Sequence, residues 1–379
     1  MKTFYDIWES IDQKEIKKRI LQTSRAEVVT VLEKTHLSWE DFLVLISPAA
    51  QDFLDPMAER AQELTLKHFG KNILLYVPLY LSNVCENLCL YCGFSAAHKS
   101  HRTTLTGQEF QEELKAIKGL GFKNLLLLTG ESRRAVSVDD LALAVQRASK
   151  ENFFVSLEVY PLQTHEFETL VDAGAVGLTV YQETYDGEIY DKVHPRGAKK
   201  DFRFRLETPD RALSAGFRKV GIGALLGLGD WLTDGALVGA HAQYLMKTYW
   251  RSEISVSFPR LRQSGIGYES SSPVNDRQLV QLILALRLFL PMVTLTISTR
   301  ESADFRNHIM GLGVTMMSAG SKTSPGGYRE NAPAEEKQFE ILDDRTVEQV
   351  CETIKKQGFY PVFKDWSSVM TGVAHEHYR

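Results

Sequence analysis

Three of the four cysteines in this 379-residue chain lie close together, at Cys85, Cys89 and Cys92. Thiolates at this CxxxCxxC spacing can bind a metal ion or an iron–sulfur cluster. A structural zinc site is usually closed by four protein ligands, whereas a cluster held by three thiolates leaves one iron open to an outside molecule. The spacing therefore favours an iron–sulfur cluster with an open position at which chemistry takes place.

Two other uses of these cysteines must be weighed. A zinc ion could complete its ligand set with His98 or His101, and the protein would then be a metal-binding scaffold rather than an enzyme. A disulfide needs an oxidising compartment, but residues 1–19 are charged and carry no apolar signal core. The sequence therefore favours the cluster over both alternatives, and it favours a cytoplasmic location.

Composition limits the partners of the chain. Its hydrophobic content of 44% can supply a substantial core, and its net charge is only −4, with acidic and basic residues mixed along the sequence. This balance gives no electrostatic reason to expect nucleic acid, and the chain has no apolar run of membrane-spanning length. We therefore expect a small-molecule substrate and no nucleic-acid or membrane partner.

From residue 73 onward, short apolar runs alternate with helix-length segments, which is typical of βα units around a parallel sheet. The runs are residues 74–81, 124–129, 154–159, 177–181, 220–226, 254–258, 294–298 and 314–317. Eight runs predict an α/β protein with a (β/α)8 TIM-type barrel. We expect an N-terminal helical extension over residues 1–72, the barrel over residues 73–323, and a small C-terminal subregion over residues 324–379 with a helix and a short strand.

The active site of such a barrel lies where the strands end. The three cysteines follow the first run, and polar residues follow several others: Thr129, Glu131, Glu158, Gln182, Glu183, Arg260, Arg300, Glu301 and Ser318. Side chains that follow different strands of one barrel converge at the same face. The sequence therefore predicts one site that combines the cysteines with charged and hydroxyl groups.

The cysteine motif, with Tyr91 directly before Cys92, resembles that of the radical S-adenosylmethionine (SAM) superfamily. The resemblance implies the barrel fold and a [4Fe-4S] cluster whose open iron is chelated by the amino and carboxylate groups of SAM. It also implies that an electron from the cluster splits SAM into methionine and a 5′-deoxyadenosyl radical. The protein then supplies binding, orientation and exclusion of water.

The same resemblance implies contacts for SAM. Thr129, Gly130 and Glu131 match the segment that binds the SAM amino group, where a carboxylate facing an ammonium is physically sensible. Arg205 matches the arginine that pairs with the SAM carboxylate. The remaining expected contacts are Tyr91 shielding the cluster and the adenine edge, Glu158 at the ribose or amino group, and Gly223 and Gly227 along adenine.

Several basic residues precede Arg205 in sequence. They are Lys192, Arg196, Lys199, Lys200 and Arg203. Basic residues clustered in a loop are usually solvated, and we expect all five to be exposed.

Over nearly the whole chain, the sequence resembles the 2-iminoacetate synthase family, the tyrosine lyases of bacterial thiamine thiazole biosynthesis. The matching segments are residues 76–83, 91–95, 180–185, 205–211, 255–262, 298–301 and 362–366. The resemblance implies cleavage of the Cα–Cβ bond of L-tyrosine to 2-iminoacetate (dehydroglycine) and p-cresol. It also implies a thiazole synthase as protein partner and flavodoxin or ferredoxin as electron donor.

Two related families remain alternatives. The tyrosine lyase of hydrogenase maturation carries a second cluster on a C-terminal cysteine pair, but this chain has only Cys351 beyond the motif, which disfavours that family. We expect Cys351 to be a small buried apolar residue of a helix. A tryptophan lyase shares the same scaffold and is not excluded by spacing alone.

The substrate site can also be predicted. An amino acid needs its carboxylate anchored, and Arg300, with help from Ser318, is well placed to make a forked pair with it, as the related lyases imply. An ion pair of Arg300 with Glu301 or Glu183 is the structural alternative. Tyr181, Glu183 and Arg260 are further candidates for the pocket wall.

Overall fold

The computed structural model describes residues 2–261, 268–270, 272–329 and 337–364. Over these residues the strands are β1 (Asn72–Ser82), β2 (Asn124–Thr129), β3 (Phe154–Glu158), β4 (Ala175–Thr179), β5 (Lys219–Gly223), β6 (Glu253–Ser257), β7 (Thr294–Ile297), β8 (Met316–Ser318) and β9 (Tyr360–Val362). The first helices are α1 (Phe4–Ser10), α2 (Gln13–Leu21), α3 (Arg25–Leu32), α4 (Trp39–Leu45) and α5 (Leu54–Phe69). The others are α6 (Gly107–Gly119), α7 (Val138–Lys150), α8 (Thr164–Asp172), α9 (Gly187–Val193), α10 (Phe202–Leu206), α11 (Thr208–Ser214), α12 (Trp231–Thr248), α13 (Asp276–Phe289), α14 (Ala303–Ile309) and α15 (Val347–Lys356), with short 3-10 helices at Pro48–Phe53 and Ala198–Lys200.

Strands β1 to β8 form a closed parallel barrel. Each strand pairs with the next, and the ring closes because β1 pairs with both β2 and β8. All eight predicted apolar runs are strands of this ring, which confirms the barrel. Because strands in a closed ring follow chain order, β3 and β7 lie on opposite sides of the barrel, and so do β4 and β8.

Side chains inside the barrel follow the two-residue period of the strands. On β3, for example, Ser156 lines the lower interior, and Glu158, two residues later, lines the upper cavity. The intervening Leu157 is fully buried in the layer between barrel and helices. The outward-facing apolar side chains thus build the core, while the inward-facing side chains, a mixture of polar, aromatic and aliphatic residues, line the interior of the barrel.

The N-terminal helices pack against α12 and α13, outside the strands of the barrel. Ser38 caps α4 in a capping box with Asp41, which is the helix start indicated by the sequence. The indole of Trp8 and the side-chain amide of Gln13 both donate to the carbonyl oxygen of Tyr185, at 2.9 and 3.0 Å. This extension therefore contacts the chain segment that leaves β4 toward the site.

The C-terminal elements close the lower end of the barrel. Strand β9 pairs with the first residues of β1, and Leu74 is the partner of both Val362 in β9 and Met316 in β8. Strand β9 therefore lies on the same side of β1 as β2. Cys351 in α15 is partly buried against the core, consistent with a small apolar role. Three residues of the matched segments, Arg262, Asp365 and Trp366, lie outside the described residues.

Within the described ranges, no helix combines the length and the apolar character that crossing a membrane requires.

Candidate active site

The cysteine loop joins β1 to α6 and is held by hydrogen bonds to its own backbone. The guanidinium of Arg102 donates to the carbonyl oxygens of Asn83, Phe94, Ser95 and His98. The loop is also tied to the chain after α9, because the backbone N–H groups of residues 88 and 90 donate to the carbonyl oxygens of residues 196 and 193. The positions of the three cysteines are therefore set by the protein itself.

These cysteines suit a cluster better than a single ion. All three are free thiols in buried or half-buried positions, and burial raises the pKa of the Cys92 thiol to about 11. No group of three or more His, Cys, Asp or Glu side chains in the described ranges is placed to hold one metal ion. In the described ranges, His98 and His101 therefore do not join the cysteines in such a group. Sulfurs that bind different irons of one cluster need not converge on a single point, so the donor set fits an iron–sulfur cluster.

A buried ionic network lies beside the cysteine loop. Arg205 donates to Glu131 at 2.9 Å, and its other terminal nitrogen lies 3.8 Å from Glu183. Glu183 accepts a hydrogen bond from Lys199 at 2.6 Å, and Glu131 accepts one from Asn87 at 2.8 Å. Two acids and two bases thus form one network at the ends of β2 and β4.

The network is built to stay charged. Burial opposes ionisation, but Arg205 and Lys199 together lower the pKa of Glu131, and the same two cations lower that of Glu183. In return, although burial again works against the charge, Glu131 and Glu183 raise the pKa of Arg205. Because the network contains both carboxylates and cations, it can pair with the amino group and with the carboxylate of SAM.

One sequence expectation fails in this network. Lys199 was expected to be solvated, but it is 9% exposed and is paired with Glu183, while its backbone N–H donates to Asn87 at 3.0 Å. The other four basic residues of that segment are exposed, as expected: Lys192, Arg196, Lys200 and Arg203. Lys199 is buried because the turn at Gly197 presses against Asn87 of the cysteine loop.

A single cavity joins the cysteine loop to the ends of β7 and β8. Its wall consists of Tyr76, Pro78, Tyr80, Tyr91, Cys92, Leu126, Leu128, Glu158, Tyr181, Glu183, Lys199, Leu225, Ser257, Pro259, Ser298, Thr299, Arg300, Ser318, Ser321, Thr323, Gln338 and Phe339. Cys92 and Arg300 therefore face the same space, as the strand-end argument predicted. Sequence reasoning did not single out Gln338 and Phe339, which belong to the segment after β8.

Arg300 is available to a ligand. Its guanidinium carbon lies 3.6 Å from the centre of the Phe339 ring, and its Nε is buried without a hydrogen-bond partner among the described residues. The two carboxylates considered as structural partners are engaged elsewhere, because Glu301 pairs with Arg260 and Glu183 with Lys199. The arginine at the end of β7 thus points a cation into the cavity.

Ser318 and the Arg300 loop are held together. The backbone N–H of Thr299 donates to the hydroxyl of Ser318 at 3.1 Å, and that of Arg300 donates to the hydroxyl of Ser298 at 3.3 Å. The carbonyl oxygen of Ser318 accepts a hydrogen bond from Arg306, which also pairs with Asp343, and neither side chain of that pair is exposed. A buried ion pair therefore supports this side of the cavity from behind.

Arg260 does not line the cavity. Its guanidinium forms an ion pair with Glu301 and a 2.6 Å contact with Asp276, and it donates to the carbonyl oxygen of Val274 at 3.1 Å. The sequence predicts Arg260 in the pocket wall, and the structure corrects this. The side chain instead links β6 to α13 and to the residues that follow β7. Tyr181 and Glu183, the other two candidates, do face the cavity.

The glycines predicted along adenine are explained by contacts with protein. A Cβ on Gly223 would lie 2.0 Å from the carbonyl oxygen of Ser257, and one on Gly130 would lie 2.2 Å from that of Val84. Gly227 has φ +109°, a conformation that favours glycine. Of the 223–227 segment, only Leu225 reaches the cavity wall. Thr129 lies at the end of β2 with its hydroxyl buried and unpartnered within the described chain.

Tyr91 has a defined hydrogen-bond partner. Its hydroxyl lies 2.8 Å from Nε2 of His194, and Nδ1 of that histidine lies 2.8 Å from the carbonyl oxygen of Tyr190. Nδ1 must donate to the carbonyl, so Nε2 accepts from Tyr91. Burial lowers the pKa of His194 to about 2, which keeps the ring neutral and this arrangement intact.

Comparisons with known proteins agree with this site. Residues 79–232 match the model of the radical SAM superfamily, and residues 257–360 match the Biotin and Thiamin Synthesis associated domain. The chain is 45% identical to 2-iminoacetate synthase of Salmonella typhimurium, over 97% of this chain and 98% of the relative. It is 44% identical to 2-iminoacetate synthase of Escherichia coli, over 98% of both chains.

Among solved structures, the X-ray structure of the FeFe-hydrogenase maturase HydG from Carboxydothermus hydrogenoformans superposes with a TM-score of 0.83. The sequences are 31% identical, and the match covers 96% of this chain and 83% of that one. Identity with the synthases is higher and spans both chains almost completely. The cysteine loop, the barrel and these matches lead to one conclusion: the chain belongs to the 2-iminoacetate synthase family of radical SAM enzymes.

Proposed function

We propose that this enzyme is a carbon–carbon lyase that cleaves the Cα–Cβ bond of L-tyrosine to 2-iminoacetate and p-cresol for the thiazole of thiamine. The observation that carries the proposal is the shared cavity. In it, a cysteine of the cluster loop faces the same space as the guanidinium of Arg300, whose Nε has no hydrogen-bond partner among the described residues. One group fits the cofactor and the other fits the carboxylate of an amino acid.

In this proposal Cys85, Cys89 and Cys92 hold the cluster. Four charged residues receive the polar ends of SAM: Glu131, Arg205, Glu183 and Lys199. Tyr91 shields the cluster edge, and Thr129, Gly130, Gly223 and Gly227 shape the backbone around SAM. When bound, the cluster and SAM would supply the radical chemistry that removes a hydrogen atom from the substrate amino group.

The chain's own task is positioning. Arg300 makes a forked pair with the substrate carboxylate and Ser318 adds a hydroxyl, while Tyr181 and Glu183 bound the space between substrate and SAM. A reactive radical attacks whichever hydrogen is nearest, so a misplacement of about 1 Å can cost on the order of 100-fold in rate. The buried Arg306–Asp343 pair supports this precision because it fixes the carbonyl oxygen of Ser318.

Product analysis tests the proposal. The protein is reconstituted anaerobically with iron and sulfide and supplied with SAM, reductant and L-tyrosine, with Cys89→Ala as the matched control. We expect p-cresol and 5′-deoxyadenosine from the intact protein only. Deoxyadenosine without p-cresol would reject tyrosine as substrate. In a parallel assay with L-tryptophan in place of L-tyrosine, 3-methylindole or a related product would transfer the proposal to that amino acid.

The proposal includes partners in the cytoplasm. An imine product hydrolyses readily in water, which favours direct transfer to a thiazole synthase, and reduction of the cluster calls for a small donor such as flavodoxin or ferredoxin. Co-purification with each candidate, followed by product yield with and without it, tests these two partners separately.

A further inference from the structure

Glu158 is a carboxylate in the cavity that the roles above do not require. It is the last residue of β3 and lines the cavity, and no described residue hydrogen-bonds its side chain. The SAM-side network is complete without it, since the side-chain hydrogen bonds and ion pairs of Glu131, Arg205, Glu183 and Lys199 involve only one another, Asn87 and backbone among the described residues. An acceptor in this position calls for a donor from a ligand.

The closed barrel places Glu158 across from the carboxylate site. Glu158 ends β3, and Arg300 follows β7, four strands away in either direction around the ring. The interior of an eight-stranded barrel is just wide enough for side chains or one small ligand. An amino acid whose carboxylate is held by Arg300 therefore extends toward β3, with the far end of its side chain near Glu158.

The wall between these two ends suits an aromatic ring. Leu126, Leu128 and the rings of Tyr76 and Tyr181 line it. Two other polar groups on the wall already have partners: Lys199 donates to Glu183, and the side-chain oxygen of Gln338 accepts from Tyr80 at 2.6 Å. Glu158 is thus the acidic group left for the distal end of the substrate.

Resting on the proposed function, we infer that Glu158 accepts the hydrogen bond of the substrate phenol and so determines the choice of tyrosine over phenylalanine. A carboxylate acceptor makes a charge-assisted hydrogen bond with a phenol. The arrangement differs from the SAM contact that the family resemblance implied for this residue.

The electrostatic surroundings agree with this placement. Burial, followed by the charge of Glu183, raises the pKa of Glu158 to about 7. Burial, and after it the charge of Glu158, raises the pKa of the hydroxyls of Tyr76, Tyr80 and Tyr181, all of which lie on the cavity wall. A phenol donor would relieve the cost of burying this carboxylate.

Binding of L-tyrosine and L-phenylalanine, measured with SAM present and no reductant, tests the inference with the cluster-loaded protein. In Glu158→Leu, tyrosine affinity should fall by about 10- to 150-fold, while phenylalanine affinity changes by less than about 3-fold. Glu158→Gln keeps the shape and one acceptor oxygen, so it should retain part of the preference. Affinity for SAM should stay within about 2-fold in both variants.

Two results would overturn the inference. If SAM binding weakens in both variants and the preference for tyrosine remains, Glu158 serves SAM. If the isosteric Glu158→Gln binds tyrosine and phenylalanine equally more weakly, with an unchanged circular dichroism spectrum, the residue supports the pocket without a hydrogen bond to the phenol. Failure of the proposed function is distinct, because wild-type protein would then neither bind L-tyrosine nor form p-cresol.

Discussion

Replacement of Phe339 by leucine should weaken substrate binding through Arg300. The guanidinium carbon lies 3.6 Å from the ring centre, and both side chains are only partly exposed. Stacking of this kind is worth from about 0.5–1 kcal/mol at exposed sites to about 2 kcal/mol when desolvated. For this half-buried pair we expect about 1–2 kcal/mol, which corresponds to a roughly 5- to 30-fold loss of L-tyrosine affinity.

The position of Phe339 makes the effect specific. The preceding Gln338 donates its backbone N–H to Thr323 at 3.0 Å and accepts from the N–H of Gly93, in the cysteine loop, at 3.1 Å. The carbonyl oxygen of Phe339 accepts from the hydroxyl of Thr323 at 3.1 Å. These backbone contacts do not depend on the ring, so Phe339→Leu should remove the stacking and leave the segment in place.

Isothermal titration calorimetry with L-tyrosine and with tyramine, which lacks the carboxylate, distinguishes a misplaced Arg300 from a general disturbance of the pocket. Phe339→Leu should weaken the binding of L-tyrosine far more than that of tyramine. Phe339→Tyr keeps the flat aromatic face and should bind L-tyrosine as wild type does. Equal losses for both ligands, or no loss for tyrosine, would refute the view that the ring orients Arg300 toward a carboxylate.

Three further predictions concern loop geometry, pH and the buried ion pair. Gly130→Ala would place a carbon 2.2 Å from a backbone oxygen of the cysteine loop, so iron content after reconstitution should fall, whereas Gly119→Ala, with no atom within 4 Å, should retain it. Burial raises the pKa of Asp234 from 3.8 to about 7, so the stability that protonation gives is present below about pH 4 and is lost as pH rises through 7. Asp234→Asn should therefore become more stable than wild type as pH rises, and the two free energies of unfolding, taken from thermal melts, should differ by roughly 2–4 kcal/mol above pH 7. A difference that does not change with pH would contradict this. Arg306→Met leaves the fully buried Asp343 with one cation fewer and should lower the free energy of unfolding in urea by about 3–5 kcal/mol; a change below about 1 kcal/mol would contradict this.

The barrel and its active face could be predicted because both depend on local patterns. Buried parallel strands are short apolar runs, and helix-length intervals between them leave few topologies. Once eight runs are assigned, the ends of the strands must share one face, so Cys92, Arg300 and Ser318 are brought together by topology alone. The chemistry of three thiolates identified the cofactor without any tertiary information.

Other parts of the site depend on long-range contacts that no local pattern reveals. Lys199 has basic neighbours and would be solvated were it not for Glu183 and the turn against Asn87. Phe339 belongs to a polar stretch typical of a linker, and only the folded chain brings it onto Arg300. A charged side chain at a strand end, such as that of Arg260, can face either the cavity or its neighbours in the barrel wall. Sequence alone does not distinguish these two orientations.

The contact of the first helices with Tyr185 bears on the order in which the chain folds. Trp8 is synthesised early, but its indole donates to a carbonyl oxygen 177 residues further along the chain. Helix α1 also supplies Phe4, which stacks on His241 at 4.0 Å. Contacts between residues so distant in sequence form slowly because a long loop must close first. We therefore expect the N-terminus to attach only after most of the barrel has formed, and any event that detaches it removes two hydrogen bonds to the carbonyl oxygen of Tyr185, two residues after Glu183.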